Sequence, residues 1–428
     1  MRWLWLALLA GCAPSGEIIL YVDTDAAVPS TANDGPDPLR PPALFDRLRI
    51  EILRNGMPAL AVGASRDFAV DTARFHNRAV SIGIAPQFGD DTLSARVRLF
   101  RGDRATDGNP PPLNTLDTTV ALPAIGSTEH RELTVILHTE HVGVPQMAVP
   151  EQGPPSRSLV GSWPGAHVVP CIGEPGAEEA CVPGGAFWMG ASTTIGFAGI
   201  EKSTEHLVVV SPFFIDVAEV TLAEFRPGYP RAGEIYALRT HTDDPTCVYS
   251  ETPGSFESLP MNCVARDNAE RYCRALGKVL PTEAQYEFVS SGRGQEWTFP
   301  WGNDDPGCGD AVLGRGGPMY DTTCGLLPNA PGMSPKGTGR LDQVPLGERT
   351  VVDLAANLAE LMRDAYSTDP APALSVDPFV KPSADDDVPI RGGSYLLGAL
   401  QAHATSRDVS PAAGNSPAAG FRCVRVSK

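Results

Sequence analysis

The stretch Gly277-Lys278-Val279-Leu280-Pro281-Thr282-Glu283-Ala284-Gln285-Tyr286-Glu287-Phe288 carries the clearest structural signal in the chain. Just before it, Ala269, Tyr272, Cys273 and Leu276 recur at helical spacing, which predicts a helix with one apolar side that Gly277 caps at its end. Within it, Thr282 followed by Glu283 and Glu287 marks the start of a second helix. Gly184-Gly185 upstream and Gly392-Gly393 downstream suit turns where the backbone bends or is approached closely. Only these two helices stand out. With 43 glycines and 41 prolines in 428 residues, the rest is expected to be turns and short strands.

Toward the amino terminus, Met1 to Gly11 carries one positive charge at Arg2 and then Trp-Leu-Trp-Leu-Ala-Leu-Leu-Ala. This reads as a secretion signal, since a lasting transmembrane helix needs about 20 apolar residues. Leu9-Ala10-Gly11-Cys12 resembles a bacterial lipoprotein box, which implies that residues 1–11 are removed, that Cys12 is acylated, and that residues 12–16 form a tether. Ala13 after the cysteine resembles lipoproteins sorted to the outer membrane. The expected location is therefore the cell envelope, periplasmic or surface-exposed, with membrane attachment resting on lipid at Cys12.

Of nine cysteines, eight remain after Cys12, an even set consistent with disulfides in an oxidising compartment. No Cys-x-x-Cys occurs and the histidines are scattered, so a zinc site is not expected. A net charge of −17 argues against nucleic acid as a partner, because neutralising phosphates needs a basic surface.

Residues 17–144 read as short β segments: Ile18 to Val22, Leu48 to Leu53, Val80 to Ile84, Ala95 to Phe100 and Leu133 to Leu137. Strands at such intervals predict an all-β, antiparallel sandwich of immunoglobulin-like size. His138 and His141 lie at a strand end with a spacing that puts them on opposite faces, so they are not read as a metal pair. Residues 145–167, with Pro150, Pro154, Pro155 and Pro164, read as a Pro-rich linker, and a second domain is expected over residues 168–428.

Six islands of that second domain occur in the order seen in one family. They are Val182-Pro183-Gly184-Gly185-Ala186-Phe187-Trp188-Met189-Gly190; Pro212 to Asp216 with Glu219-Val220-Thr221; Leu259 to Cys273; Gly277 to Phe288; Phe299-Pro300-Trp301-Gly302; and Arg391-Gly392-Gly393-Ser394 with Gly420-Phe421-Arg422-Cys423. Together they resemble the sulfatase-modifying factor family, the formylglycine-generating enzymes. The resemblance implies an α+β, loop-rich fold like a C-type lectin, and a disulfide between Cys273 and Cys423. A second family disulfide would fall at Ser290 and Ala404, where both cysteines are absent. The remaining six pair most simply by proximity, as Cys171 with Cys181, Cys247 with Cys263 and Cys308 with Cys324.

Members of this family oxidise a substrate thiol at copper held by two cysteines, and a thiolate is indispensable for that. Laid on this chain, those two positions fall at Leu397 and Ala402, so copper is not expected. Relatives of the fold use non-haem iron with histidines, but His206, His241 and His403 form no recognisable pair. The family segment before the last islands appears as Ala356-Asn357-Leu358-Ala359-Glu360-Leu361; by resemblance, Asp353 and Glu360 would hold calcium through carboxylates, with carbonyls from Ala356 and Leu358. Arg391, Ser394 and Arg407 are expected to border the former active-site groove. The preferred reading is a non-catalytic pseudoenzyme module that binds a protein, peptide or glycan; the other is an oxidoreductase of the sulfatase-modifying or non-haem iron type.

Overall fold

The structure, a computed structural model, describes residues 16–427 apart from 36, 38, 60–63, 87–89, 192–193, 197–198, 202–203, 230–235, 317–320, 326–331 and 369–370. The signal and lipidation readings at residues 1–11 and Cys12 lie outside the described residues. The chain divides into two compact units, Met1–Pro36 with Ala43–Trp163, and Asp37–Pro42 with Pro164–Lys428.

The first unit contains two sheets. One runs Glu151–Gln152, His130–Leu137, Glu17–Thr24, Ser81–Ile84; the other runs Met57–Pro58, Arg47–Arg54, Leu93–Phe100, Leu116–Ala121, Gln146–Ala148, with Ser65–Ala69 also on Arg47–Arg54. Period-two alternation gives each sheet one apolar face, so Ile18, Leu20 and Val22 are buried in one and Leu48, Ile50, Val97 and Leu99 in the other. All five expected strands form. The antiparallel expectation needs correction: Glu17–Thr24 pairs with His130–Leu137 in parallel, as does Leu116–Ala121 with Gln146–Ala148. Parallel neighbours need long crossovers, and here the intervening chain builds much of the other sheet.

The linker expected over residues 145–167 is also corrected. Gln146–Ala148 and Glu151–Gln152 add one strand to each sheet. The hydroxyl of Ser158 and the N–H of Leu159 donate to buried Asp23, both at 2.8 Å, and the Gly161 N–H donates to the Ala26 carbonyl. Prolines fit because these strands are edges of two or three residues, and Pro150 falls between them.

A short helix α1 (Thr72–His76) belongs to the first unit, and α2 (Leu222–Gly228), α3 (Arg266–Ala275) and α4 (Glu283–Ser290) to the second. Gly277 sits at φ +72°, where it closes α3 with backbone bonds from its own N–H and that of Lys278 to Arg274 and Cys273. A capping box opens α4: the Thr282 hydroxyl accepts from the Gln285 N–H while the Gln285 side chain accepts from the Thr282 N–H. Thr221 and Glu224 do the same for α2, a helix that was not foreseen.

Among the described residues, beside two two-stranded sheets, Thr194–Gly196 with Gly199–Glu201 and Gln343–Leu346 with Arg349–Val352, three sheets of three or four strands surround the helices. Glu179–Val182, Phe213–Asp216 and Val424–Val426 form one, and Gly185–Met189, His206–Val210 and Leu374–Val376 another. The third, ordered Arg407–Ser410, Val388–Arg391, Ala359–Leu361, Ala419–Gly420, supports the candidate site. Phe225 of α2 stacks on Tyr272 of α3 at a centroid distance of 5.4 Å, and Phe421 meets both rings edge-on at 6.1 and 5.5 Å, which holds the carboxy-terminal segment over both helices. Disulfides join Cys171 to Cys181, Cys247 to Cys263, Cys273 to Cys423 and Cys308 to Cys324, as expected. Among the described residues, no helix is long and apolar enough to cross a membrane.

Candidate functional site

The strand Val388–Arg391 runs into Gly392 at φ +92° and Gly393 at φ +71°. A Cβ on Gly393 would lie 2.7 Å from the Gln401 carbonyl oxygen, and one on Gly392 would lie 2.9 Å from that of Leu354. Only glycine fits both the left-handed conformation and the close approach. The turn folds residues 394–402 back beside the sheet and opens a pocket of about 190 Å³ there.

Ile390, Leu396, Leu397 and Val409 form the apolar walls of this pocket. Its polar lining includes Ser394, Gln401, Arg407 and Asp408. Among the described residues, neither a thiol nor an imidazole lines it, and Asp408 is its single carboxylate. Ser394 is 2% exposed, and its Oγ is buried with no hydrogen-bond partner among the described residues.

The expected groove residues therefore separate by role. Arg407 reaches the pocket, but its guanidinium grips Glu283 through two bonds of 2.6 and 2.7 Å, donates to the Ser367 carbonyl and lies over the Tyr366 ring. Arg391 does not line the pocket. It is buried and donates to Glu287 of α4, whose other carboxylate oxygen accepts from the Gly190 N–H. This ion pair fastens α4 to the sheet.

The two positions matching the family's copper ligands lie in different surroundings. Leu397 lines the pocket, whereas Ala402 is buried against Phe299 and Ala355. Neither side chain has a donor atom, and every cysteine except Cys12 is held in a disulfide, so the residues present do not fit copper. His206 and His241 each face a backbone carbonyl, of Thr204 and Cys247, and His403 meets Phe299 edge-on; in the first unit the His138 and His141 rings meet edge-on with centroids 6.1 Å apart, which corrects the expectation that they lie on opposite faces. Burial lowers the His403 pKa. Among the described residues, no group of three or more His, Cys, Asp or Glu side chains is placed to hold a metal ion.

Asp353 and Glu360 lie in a buried polar network. Both Glu360 oxygens accept from Arg422 Nε at 2.8 Å, and Arg422 also donates to the carbonyls of Val352 and Asp353. The Asp353 carboxylate accepts from the Gly337 N–H at 2.6 Å. Glu219 takes the Asn357 amide and the Leu358 N–H, while Asp342 takes the N–H groups of Leu354 and Ala355. Burial holds the Glu219 and Asp342 carboxyls well above the usual range, reinforced in each case by the neighbouring Asp353. Burial also raises Glu360, against the pull of Arg422. The network was not legible in the sequence because its members come from four separate stretches of the chain, around Glu219, Asp342, Asp353 to Glu360 and Arg422; Glu219 and Arg422 stood in quoted motifs without an assigned role.

Asp364 behaves similarly beside the site. It accepts from the Glu283 and Val380 N–H groups, and burial followed by the nearby Glu283 charge pushes it up to about 7. A carboxyl raised on folding contributes stability that is complete below its unfolded value, 3.8, and is lost as pH rises through about 7. Between pH 5 and 8 the unfolding free energy is expected to fall by about 2–3 kcal/mol from this group. Glu179, held at about 2 chiefly by Arg425, the Gly176 N–H and Lys278 against its own burial, does not oppose the trend, since it stays ionised throughout that window. Urea unfolding at several pH values tests this: Asp364→Asn should flatten the slope, and an unchanged slope refutes the assignment.

Together these features define a loop-rich, disulfide-stapled α+β domain whose pocket opens at the end of an Arg-Gly-Gly-Ser strand. A profile of the sulfatase-modifying factor enzyme 1-like domain matches residues 170–427, more than half of the chain, and the chain belongs to that family. It is similar to the formylglycine-generating enzyme of Thermomonospora curvata, 26% identical over 56% of this chain and 91% of that protein. The inactive C-alpha-formylglycine-generating enzyme 2 of Bos taurus is 30% identical over 28% of this chain and 51% of its own length. Among solved structures, PvdO from Pseudomonas aeruginosa aligns with 58% of this chain and 94% of its own at 20% identity and a TM-score of 0.44.

Proposed function

We propose that the second unit is a non-catalytic binding module, carried at the cell envelope by a chain anchored through lipid on Cys12, and that it holds a ligand in the pocket at the family's catalytic position without oxidising it. One observation carries this reading: the pocket is walled by Ile390, Leu396, Leu397 and Val409 and, among the described residues, offers no thiol or imidazole. The likeness to relatives named as inactive is compatible with it. Calcium forms no part of the proposal, because both Glu360 oxygens already accept from Arg422.

The test is metal analysis of the purified chain with copper, iron and calcium quantified together, followed by oxygen uptake in the presence of copper(I) and a cysteine-containing peptide. Absence of stoichiometric copper or iron and no uptake above the metal blank are expected. Leu397→Cys/Ala402→Cys should not create a copper site, since position 402 faces Phe299 and Ala355 rather than the pocket. Stoichiometric copper or iron in the wild-type chain, or catalysed uptake by it, overturns the reading in favour of an oxidoreductase.

A further inference from the structure

We propose that the bridge between Cys308 and Cys324 is a redox-responsive fastening of the pocket wall: a dithiol opens it selectively, and its opening loosens the wall at Leu396 and Leu397 while the rest of the second unit stays folded. The purpose of such a device rests on the binding reading above; its chemistry follows from exposure and hydrogen bonds.

Access separates the four bridges. Cys247, Cys263, Cys273 and Cys423 are all 0% exposed, so two bridges are shut away from an attacking thiol. Cys171 and Cys181 are half-buried, and Cys181 lies inside the strand Glu179–Val182, paired to Phe214. Cys308 is exposed, alone among the described cysteines. Exchange rates follow access to the sulfur that is attacked, and exposed bridges are the labile ones.

The two ends of this bridge are held unequally. On the Cys308 side, the Gly309 and Asp310 carbonyls accept from the Arg340 and Leu341 N–H groups, the Val312 carbonyl accepts from the Asn357 N–H, and Ala311, Val312 and Leu313 are buried. On the Cys324 side, Thr322, Thr323 and Gly325 are exposed, and neither Asp321 nor Cys324 is fully buried. Three backbone bonds tie that side down: Asp321 N–H to the Leu396 carbonyl at 3.2 Å, Cys324 N–H to the Gly314 carbonyl at 2.9 Å, and Gly316 N–H to the Asp321 carbonyl at 2.8 Å. Hydrogen bonds within reach of water contribute little net free energy against the chain entropy they restrict, so the covalent tie is what keeps this side in place.

These ties reach the pocket directly. Leu396 and Leu397 belong to its apolar wall, and their carbonyls accept from the Asp321 and Gly314 N–H groups. Cys324 packs against Gly314, and the Asp321 carboxylate against Gly398. The segment that the bridge fastens is therefore the one that backs the wall.

A dithiol supplies both electrons. Its first thiolate attacks the Cys308 Sγ, the S–S bond breaks, and Cys324 leaves as a thiolate that takes up a proton; the second thiol of the reductant, once deprotonated, displaces Cys308 and closes its own disulfide. The bridge gains two electrons and two protons, and the dithiol loses the same.

The test treats the folded full chain with limiting dithiothreitol. One portion is quenched with iodoacetamide and mapped by peptide mass spectrometry; another is followed by deuterium exchange before and after opening. Cys308 and Cys324 should be alkylated about tenfold faster than the other six bridged cysteines. Exchange should quicken about tenfold at the Asp321 and Cys324 amides and rise in the peptide containing Leu396 and Leu397, while the Asn357 amide, bonded to Val312, keeps its rate. Removing dithiothreitol and adding glutathione disulfide should restore the slow rates. Cys308→Ser/Cys324→Ser should show the opened pattern without reductant.

Prior opening of another bridge overturns the proposal, as does unchanged exchange around Leu396 and Leu397 once Cys308 and Cys324 are free. The wild-type measurement is independent of the variant's folding. Neither outcome touches the non-catalytic reading, which stands or falls on metal content and oxygen uptake.

Discussion

Replacing Glu360 by glutamine is expected to lower the unfolding free energy of the second unit by about 3–5 kcal/mol. Arg422 and Glu360 are both 0% exposed, and a guanidinium does not give up its proton. With Glu360 neutral, Arg422 keeps its contacts to the carbonyls of Val352 and Asp353 but loses the carboxylate that balances its charge. Glu219 and Asp353 stand close enough to influence the same network, so ionisation there offsets part of the loss and sets the lower end of the range. The effect reaches the pocket as well: Glu360 lies in the strand Ala359–Leu361, paired to Arg391 on one side and Gly420 on the other, and Ala359 lines the pocket. Urea denaturation with the disulfides intact measures the change. A companion Arg422→Met/Glu360→Gln variant should recover much of the stability, because an apolar side chain leaves no buried charge to balance. A loss below about 1 kcal/mol for Glu360→Gln alone would mean that the neighbouring acids, and not Glu360, carry the balancing charge.

Local signals were legible where the cause is local. Thr282 and Gly277 mark helix boundaries through bonds that span three or four residues, so both could be read from the chain, although the box partner is Gln285 rather than Glu283 or Glu287. Thr221 and Glu224 present the same three-residue signature, but the helix they open is only seven residues long and lacks a clear apolar period. Strand existence in the first unit was legible from alternation, whereas strand direction was not: periodicity is the same in parallel and antiparallel pairs. Proline content suggested a linker over residues 145–167, because composition cannot distinguish a loop from an edge strand two residues long. At the site, the absence of cysteines and the placement of Leu397 and Ser394 followed from the Arg-Gly-Gly-Ser island. The roles of Arg391 and Arg407 did not, since each is fixed by a glutamate over 100 positions away, on α4.

The four disulfides are expected to differ in worth according to the chain they close. Cys273 and Cys423 are 150 positions apart, against 16 for Cys247 and Cys263, 16 for Cys308 and Cys324, and 10 for Cys171 and Cys181. Loop-closure entropy in the unfolded chain then predicts about 5 kcal/mol for the long bridge, about 3 for each of the two 16-residue bridges and about 2.7 for the shortest. Removing a buried pair also leaves a cavity, which would confuse a simple ranking. The bridge between Cys247 and Cys263 supplies the control, because all four of its own and the long bridge's cysteines are fully buried. Cys273→Ala/Cys423→Ala should therefore be less stable than Cys247→Ala/Cys263→Ala by about 2 kcal/mol, the part that depends on loop length alone. Equilibrium unfolding of the two double variants decides the matter. Equal losses would place the stabilisation in native packing around Phe225, Tyr272 and Phe421, and not in restriction of the unfolded chain. The larger loss at the long bridge would instead explain why a fold with short helices and small sheets holds its last strand, Val424–Val426, in the sheet with Phe213–Asp216: the strand itself contributes only three residue pairs there, and the covalent tie to α3 keeps it in reach.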